Sequence, residues 1–409
     1  MIKLHDIRIY IFIHGIVLFI LRPLATFVYG ATPVTGSVNI LIYTISTIWC
    51  LIALLICIFA MKKLPSDQWL APNKTLRISP FRYFLAFFVW AIVTFYFFQD
   101  IAVGQLGDLL QSTTSEYIHG DKVFIPNTLT AVGTIFVFAI FYLDSSRTLK
   151  LTTSILIITI LVSLGLMSGS KTLALAPFFA VVIMWSRINK GVPLTALLVL
   201  SIFFITAQIV LDAARSTNLE TAFTNSILFY FSGSSLEDGV RLFLNRYYGT
   251  DIFYRIYLYH GDDNVQFLYG SSLLVIVWAF IPRAIWPDKP LISFGKNVSE
   301  TYLDDNFWGT GISAAPTWIG ELYANFGFLS LAVYILSAVA IARHIRVCQD
   351  LSAPVWAREL YFPISFTTIA FFQEASIVGW VTQLIALGIS SFLIGVLLFG
   401  GKKAMGPGI

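Results

Sequence analysis

The chain has 409 residues, of which 57% are hydrophobic and only 12% are charged, whereas a soluble domain carries about 25% charged residues. This composition excludes an ordinary soluble protein and indicates a polytopic membrane protein. The net charge of +4 is ordinary for an inner-membrane protein and does not indicate nucleic acid binding. Cys50 and Cys57 share one apolar segment and Cys348 lies in a basic loop, so we expect neither a disulfide framework nor a CxxC metal site.

Hydropathy predicts an all-α polytopic integral membrane protein with about ten spanning helices, because a span needs about 20 mostly apolar residues. The first apolar run is followed by no small-residue cleavage site, so we expect a retained first helix. Without any fixed-period repeat, residues 1–409 are predicted to form a single integral membrane domain. The predicted spans are Tyr10–Tyr29, Asn39–Ala60, Tyr83–Ala102, Pro126–Tyr142, Leu151–Met167, Thr172–Trp185, Val192–Leu211, Glu321–Ala342, Glu359–Phe372 and Val381–Phe399.

The distribution of Lys and Arg predicts that both termini are cytoplasmic, because cytoplasmic loops retain an excess of positive charge. The predicted inside loops hold most of the 26 basic residues, and the short outside loops hold only Lys122 and Lys171. Residues 212–320 form a large extracytoplasmic loop that is itself basic, but long loops translocate regardless of charge. Its apolar segments Thr224–Phe231 and Phe267–Ile281 are short or broken, which favours interfacial or re-entrant helices. If both cross the membrane, the count becomes about twelve spans.

The most informative polar stretch is residues 280–327, which places cations and tryptophans between apolar segments. In PRAIWPDKP, prolines hold Arg283, Trp286 and Lys289 in an extended arrangement. Arginine suits bidentate contact with phosphate, and lysine supplies a point charge. The stretch is therefore predicted to bind an anionic group such as a phosphate.

Two further cationic residues outside this stretch each have two alternative interpretations. Lys171 lies in the hairpin SGSKT next to the hydrocarbon region, where it either meets an anion or reaches out to the interface as a snorkelling side chain. Arg215 follows the seventh predicted span, where it either binds phosphate or pairs with Asp212 one turn away. Both alternatives stay open for each residue.

Three other ionisable residues are candidates for chemistry or for internal pairing. Arg22 lies inside the first apolar segment, which indicates either a functional residue or an internal ion pair, with Asp100 as the candidate partner. His260 in YHGDDN is expected to be a solvated turn residue rather than a metal ligand, although imidazole could act as a general base. Glu321 is either a general base or only the first turn of a helix.

The string IPRAIWPDKP and the run GTGISAAPTWIGELYANFG, preceded by the SGSK hairpin, resemble the Wzy-type O-antigen polymerases, which are oligosaccharide repeat-unit polymerases of bacterial O-antigen and capsule assembly. Over the rest of the chain only topology and hydropathy agree with that family. Lys171 stands where such proteins often carry arginine, which keeps the charge and loses the bidentate fork. The matched positions are Pro282, Arg283, Trp286, Pro287, Lys289, Pro290, Gly309, Gly311, Gly320, Glu321, Leu322, Tyr323, Asn325, Phe326 and Gly327.

The resemblance implies a GT-C-like, metal-independent glycosyltransferase that uses no cofactor and works at the periplasmic face of the bacterial inner membrane. The implied partners are undecaprenyl-diphosphate-linked glycans, membrane lipids and a chain-length regulator of the Wzz type. We expect cations to bind the diphosphate, Glu321 or His260 to accept a proton, and aromatic or polar side chains to bind sugars. The expected diphosphate ligands are Lys171, Arg215, Arg283 and Lys289, with the last two also catalytic, and the expected sugar contacts are Trp286, Trp308, Tyr323 and Asn325.

Two rival functions remain open on the sequence. A flippase or transporter of lipid-linked oligosaccharides would also need cations, but such proteins usually have matching halves, and residues 212–320 have no counterpart elsewhere in the chain. An O-antigen ligase shares the donor and the chemistry but passes the glycan to the lipid A core, so the sequence separates it poorly from a polymerase.

Overall fold

The computed structural model describes most of the predicted spans and part of the large loop. The described residues are 6–29, 31–32, 36–62, 64, 76–104, 124–167, 171–188, 249–261, 265–279, 281, 286, 294–302, 316–350, 352–370, 372–373 and 376–399. The predicted segments Val192–Leu211 and Thr224–Phe231 lie outside them.

The described part of the chain is almost entirely helical, as the hydropathy pattern predicts. A two-residue antiparallel strand pair, β1 (Ala31–Thr32) and β2 (Gly36–Ser37), links the first two apolar segments. The helices are α1 (Ile7–Ile16), a π-helix (Val17–Leu21), α2 (Arg22–Tyr29), α3 (Ile40–Met61), α4 (Pro80–Gly104), α5 (Phe124–Ala139), a 3-10 turn (Ile140–Tyr142), α6 (Arg147–Met167), α7 (Lys171–Ile188), α8 (Gly249–Gly261), α9 (Ser271–Ala279), α10 (Phe294–Tyr302), α11 (Trp318–Phe326), a 3-10 turn (Gly327–Leu329), α12 (Ser330–Gln349), a π-helix (Ala357–Tyr361), α13 (Phe362–Ala370) and α14 (Ile377–Phe399).

Within the described residues, five helical stretches are long and apolar enough to cross a membrane. They are Ile7–Val28, Ile40–Met61, Arg147–Leu164, Trp318–Gln349 and Ile377–Phe399. Two shorter apolar helices, Pro80–Tyr96 and Val132–Tyr142, accompany them. The chain is therefore a helical membrane protein, and the bounds of these five stretches differ from the expected ones by at most seven residues at either end. For example, the span expected at Asn39–Ala60 is Ile40–Met61, with the Asn39 side chain accepting a cap bond from the Ile42 N–H.

Part of the predicted outer loop packs into the helical core. Helix α8 lies against α3 and α11, and the Thr250 hydroxyl donates to the Leu18 carbonyl at 2.7 Å. The segment expected at Phe267–Ile281 contains α9, whose nine residues are too few for a span of about 20. Helix α9 packs beside α14, and its Leu274 and Val277 side chains are exposed. Described parts of the predicted outer loop thus form part of the helical core.

Arg22 forms an internal ion pair, as one of its two interpretations expected, and its partner is Asp251 of α8. The Asp100 side chain lies outside the described part of the chain. The Arg22 Nε and Nη2 atoms lie 2.9 and 2.7 Å from Asp251 Oδ2, and the Tyr43 hydroxyl donates to Oδ1 at 2.7 Å. All three side chains are buried. An intramembrane arginine needs such an acceptor, and α8 supplies it from 229 positions along the chain.

Candidate functional site

The candidate site centres on α11, the helix that contains the sequence GELYANFG. Helix α11 begins after Thr317, whose hydroxyl accepts a bond from the Gly320 N–H at 3.2 Å, and it ends at Gly327. Glycine is required at Gly327 because its φ of 53° is unfavourable for other residues and a Cβ there would lie 3.0 Å from Phe267 Cζ. The glycines of the motif therefore serve the tight packing of this helix.

The Glu321 carboxylate is fully buried and joins three segments. Its Oε2 accepts a hydrogen bond of 2.7 Å from the Ile377 N–H, and its Oε1 accepts one of 3.3 Å from the Ser272 hydroxyl. Ile377 is the first residue of α14, and a helix N-terminus favours negative charge. Glu321 lies in the first turn of α11, and hydrogen bonds fix both oxygens of its carboxylate.

Asn325 lies one turn after Glu321 and completes a polar cluster with it and Ser272. The Asn325 Nδ2 donates to Ser272 Oγ at 2.8 Å and to the Glu321 carbonyl at 2.7 Å, while Oδ1 accepts from the Gly270 N–H at 3.0 Å. These bonds satisfy the buried amide and fix the start of α9 on α11. We call Ser272, Glu321 and Asn325 the polar cluster.

Backbone bonds hold an unusual turn against the polar cluster. The Leu268 N–H donates to the Ala324 carbonyl at 2.9 Å, and the Tyr269 N–H donates to the Asn325 carbonyl at 3.0 Å. Tyr269 and Gly270 both have positive φ, at 49° and 87°. A tyrosine in this region is strained, so the turn persists because these bonds determine it.

His260 and Tyr323 belong to a neighbouring aromatic cluster rather than to a solvated turn. The His260 ring stacks on Phe267 with centroids 4.4 Å apart, and Tyr323 meets His260 edge-on at 6.2 Å. The Tyr323 and Tyr257 rings are tilted by 32° with centroids 5.1 Å apart. His260 is only 6% exposed. The expectation of a solvated turn is wrong, because α8 continues through Gly261 and turns the imidazole into the protein.

The hydrogen bonds of His260 determine its tautomer. Nδ1 lies 2.8 Å from the Val265 carbonyl, which can only accept, so Nδ1 carries the proton. Nε2 of the neutral ring then accepts from the Tyr302 hydroxyl at 3.0 Å. Burial lowers the pKa of His260, and the bond to the Val265 carbonyl opposes part of that shift. The imidazole is therefore held neutral, with its basic nitrogen facing Tyr302.

The structure describes only some of the residues expected at the site. Trp286 is 39% exposed, so part of its ring is accessible, and Lys171 is the first residue of α7. The Lys171 side chain lies outside the described part of the chain, as do Arg215, Arg283, Lys289 and Trp308 entirely. Among the described candidates, the contacts unite Glu321 with Asn325 and His260 with Tyr323.

Sequence reasoning missed Ser272, which links the two other members of the polar cluster. A serine at the start of the apolar run SSLLVIVW looks like an ordinary helix beginning, because serine favours such positions. The available signal was the short, broken apolar segment Phe267–Ile281, which was expected to form an interfacial or re-entrant helix.

Comparison with known proteins finds similarity to two curated O-antigen polymerases. The proteins named O-antigen polymerase from Salmonella typhimurium (strain LT2) and from Salmonella typhi are each 37% identical to the chain over 81 residues. That alignment covers 19% of this chain and 19% of each relative, so the chain matches about a fifth of their length. No protein-family model matches the chain, and no solved structure matches it significantly. The alignments nonetheless confirm the resemblance read from the sequence: over this segment the chain is homologous to O-antigen polymerases.

Proposed function

We propose that the chain polymerises undecaprenyl-diphosphate-linked oligosaccharide repeat units of O-antigen or capsule. It transfers the growing glycan from its lipid diphosphate to the terminal sugar of a new lipid-linked repeat unit, without a metal ion or cofactor. The observation that carries the proposal is the 37% identity to two O-antigen polymerases over 81 residues. The proposed setting is the bacterial inner membrane, with both termini cytoplasmic, the site facing the periplasm and a Wzz-type chain-length regulator as protein partner.

The reaction requires cations for a departing diphosphate. Charge develops on the diphosphate as its bond to the anomeric carbon breaks, and fixed positive groups near that charge lower the barrier. Arg283 and Lys289 are the proposed principal ligands because the prolines of PRAIWPDKP are predicted to present both from one extended stretch. Arg215 and Lys171 are proposed to support them. In a helical membrane protein, polyprenol-linked substrates reach such a site from within the bilayer.

The reaction also requires a base for the attacking hydroxyl, and we place that role on Glu321 before His260. Both ring nitrogens of His260 are engaged, with Val265 and Tyr302. Both Glu321 oxygens also accept a hydrogen bond, from the Ile377 N–H and from the half-buried Ser272, but an ionised carboxylate has about four lone pairs and so keeps others free for a proton. This arrangement favours the carboxylate as the proton acceptor.

Aromatic and polar side chains near the polar stretch are proposed to position the sugars. Trp286 offers a partly exposed ring, and aromatic faces pack well against apolar faces of sugar rings. Tyr323 and Asn325 are almost fully buried, so they are proposed to shape the inner wall of the site, and Trp308 is proposed as a further sugar contact.

Lipopolysaccharide profiles of a deletion strain complemented with variants test the proposal. Arg283→Ala and Lys289→Ala should each shorten or abolish the ladder of chain lengths at equal expression, since each removes a cation from the leaving group. Lys122→Ala, which changes another predicted outer-loop cation outside the motif, should leave the ladder intact. A normal ladder from both Arg283→Ala and Lys289→Ala would remove this loop from the mechanism.

The same strains distinguish a polymerase from a ligase. Loss of a polymerase leaves single repeat units attached to the lipid A core, because ligation of an unpolymerised unit continues. Loss of a ligase leaves none attached. The proposal therefore expects a core bearing one repeat unit in the deletion strain, and a bare core would overturn it.

A further inference from the structure

Ser272 occupies the position between the buried Glu321 carboxylate and the exterior. Glu321 and Asn325 are both fully buried, whereas Ser272 is half-buried at the first turn of α9. Ser272 directly follows the turn that carries Tyr269, whose side chain is 81% exposed. Among the described residues bonded to the Glu321 carboxylate, Ser272 is thus the one that reaches the surface.

The hydrogen bonds of Ser272 give its hydroxyl a defined direction. A hydroxyl has one proton to donate and two lone pairs with which to accept. Ser272 Oγ accepts from Asn325 Nδ2 at 2.8 Å, and Asn325 Nδ2 can only donate. The Ser272 proton therefore points to Glu321 Oε1, which can only accept when ionised. One lone pair on Oγ is left for a further donor, and no described residue supplies it.

We propose that Ser272 relays a proton from the attacking sugar hydroxyl to Glu321. This inference rests on the proposed function and names a residue that acts in the same step. The incoming hydroxyl donates to the second lone pair of Ser272 Oγ, in the position that Asn325 and Glu321 leave open.

The proton transfer balances without any other reactant. The acceptor sugar O–H bond breaks and its proton passes to Ser272 Oγ, while the Ser272 proton passes to Glu321 Oε1. The acceptor oxygen forms the new bond to the anomeric carbon of the donor glycan. The bond from that carbon to the diphosphate breaks, and the diphosphate leaves with the electron pair. Ser272 ends as a hydroxyl and Glu321 as a carboxylic acid.

The present geometry lies close to that needed for transfer. The Ser272–Glu321 separation of 3.3 Å exceeds the 2.7–2.8 Å or so that is typical of hydroxyl hydrogen bonds. Catalytic hydrogen bonds are commonly long without substrate and shorten in the complex. A shift of about 0.5 Å at the start of α9 closes the gap, and the neighbouring Asn325 bond keeps the hydroxyl aimed during that shift.

Purified full-length protein acting on undecaprenyl-diphosphate-linked repeat units tests the relay. Ser272→Ala should lower kcat by roughly 100-fold or more with little change in KM, because general-base assistance contributes about 10²–10⁴-fold. Ser272→Thr keeps the hydroxyl and should recover most of that loss. Ser271→Ala alters the exposed neighbouring serine and should behave as the unmodified protein.

A double variant separates the relay from a merely structural role. If Ser272 acts through Glu321, then Ser272→Ala combined with Glu321→Gln should be no slower than the slower single variant, since residues that act as a unit are non-additive. The relay would be overturned if the double variant lost kcat by the product of the two single losses. A Ser272→Ala variant within about threefold of the unmodified kcat would overturn it too. An unmodified protein that fails to elongate repeat units would instead overturn the proposed function, and the relay with it.

Discussion

Arg22 and Asp251 form a buried ion pair at 2.7 Å that fastens α8 to the first membrane helix. Removing one partner of such a buried pair costs about 3–5 kcal/mol. We therefore expect Asp251→Asn to lower the free energy of unfolding by that order. Thermal unfolding of the purified protein in detergent measures the effect.

The exposed pair Arg77–Asp144 provides the matched control. Its charged atoms lie 2.8 Å apart, close to the 2.7 Å of the buried pair, but the two side chains are 71% and 57% exposed. Exposed pairs contribute about 0–1 kcal/mol, so Asp144→Asn should change the unfolding midpoint little. Replacing both buried partners, as Arg22→Met with Asp251→Leu, should recover much of the loss. Equal losses of stability in Asp251→Asn and Asp144→Asn would show that the buried pair stabilises the fold no more than the exposed pair does.

The need for a partner at Arg22 could be read from the sequence, whereas the identity of that partner could not. Hydropathy locates helices because burial in lipid demands long apolar runs, and α3 lies within one residue of its expected bounds. Pairing between residues 229 positions apart depends on how helices pack, which no local pattern encodes. Asp251 belonged to a segment expected to lie outside the core.

Local sequence patterns also failed to predict the contacts of some charged residues at helix ends and of part of the candidate site. Arg358 immediately precedes the predicted span Glu359–Phe372, yet it is buried and donates to Glu359 at 2.9 Å within a π-helix. Glu321 stood out because an acid followed a glycine-rich turn. Ser272 did not, since only the folded contact with Asn325 distinguishes it from other helix-start serines.

Gly327 should tolerate alanine poorly. Its φ of 53° and ψ of −129° fall in a region that suits glycine, and a Cβ would lie 3.0 Å from Phe267 Cζ. We expect Gly327→Ala to lower the free energy of unfolding by about 1–3 kcal/mol and to disturb the Phe267–His260 stack. Gly379→Ala is the control, since its Cβ would meet only Ser376 Oγ at 3.5 Å. The strain argument fails if detergent unfolding curves of the two variants coincide.

His260 should make the fold less stable in acid. Burial lowers its folded pKa below the unfolded value of about 6.5, so between those two values the unfolded chain binds more protons. Stability therefore rises with pH and is lost as pH falls through about 6.5 toward the folded pKa.

Unfolding midpoints at pH 7.5 and pH 5 isolate this contribution. His260→Gln removes the titrating ring and should reduce the difference between the two midpoints. Tyr302→Phe removes the hydroxyl that donates to Nε2 and stabilises the neutral imidazole. The pH dependence of this variant should therefore lie between that of the unmodified protein and that of His260→Gln. An unchanged pH dependence in His260→Gln would assign the acid sensitivity to other groups.

Glu321 allows its chemical role to be separated from its structural one, because glutamine preserves most of its contacts. In Glu321→Gln, the amide oxygen can still accept from the Ile377 N–H, so the protein should reach the membrane at normal levels. The amide cannot take up a proton at neutral pH, so the ladder of chain lengths should collapse. Glu321→Ala leaves the Ile377 N–H unsatisfied and should also cost about 1–3 kcal/mol of stability. A full ladder from Glu321→Gln would reduce Glu321 to a structural link between α11 and α14.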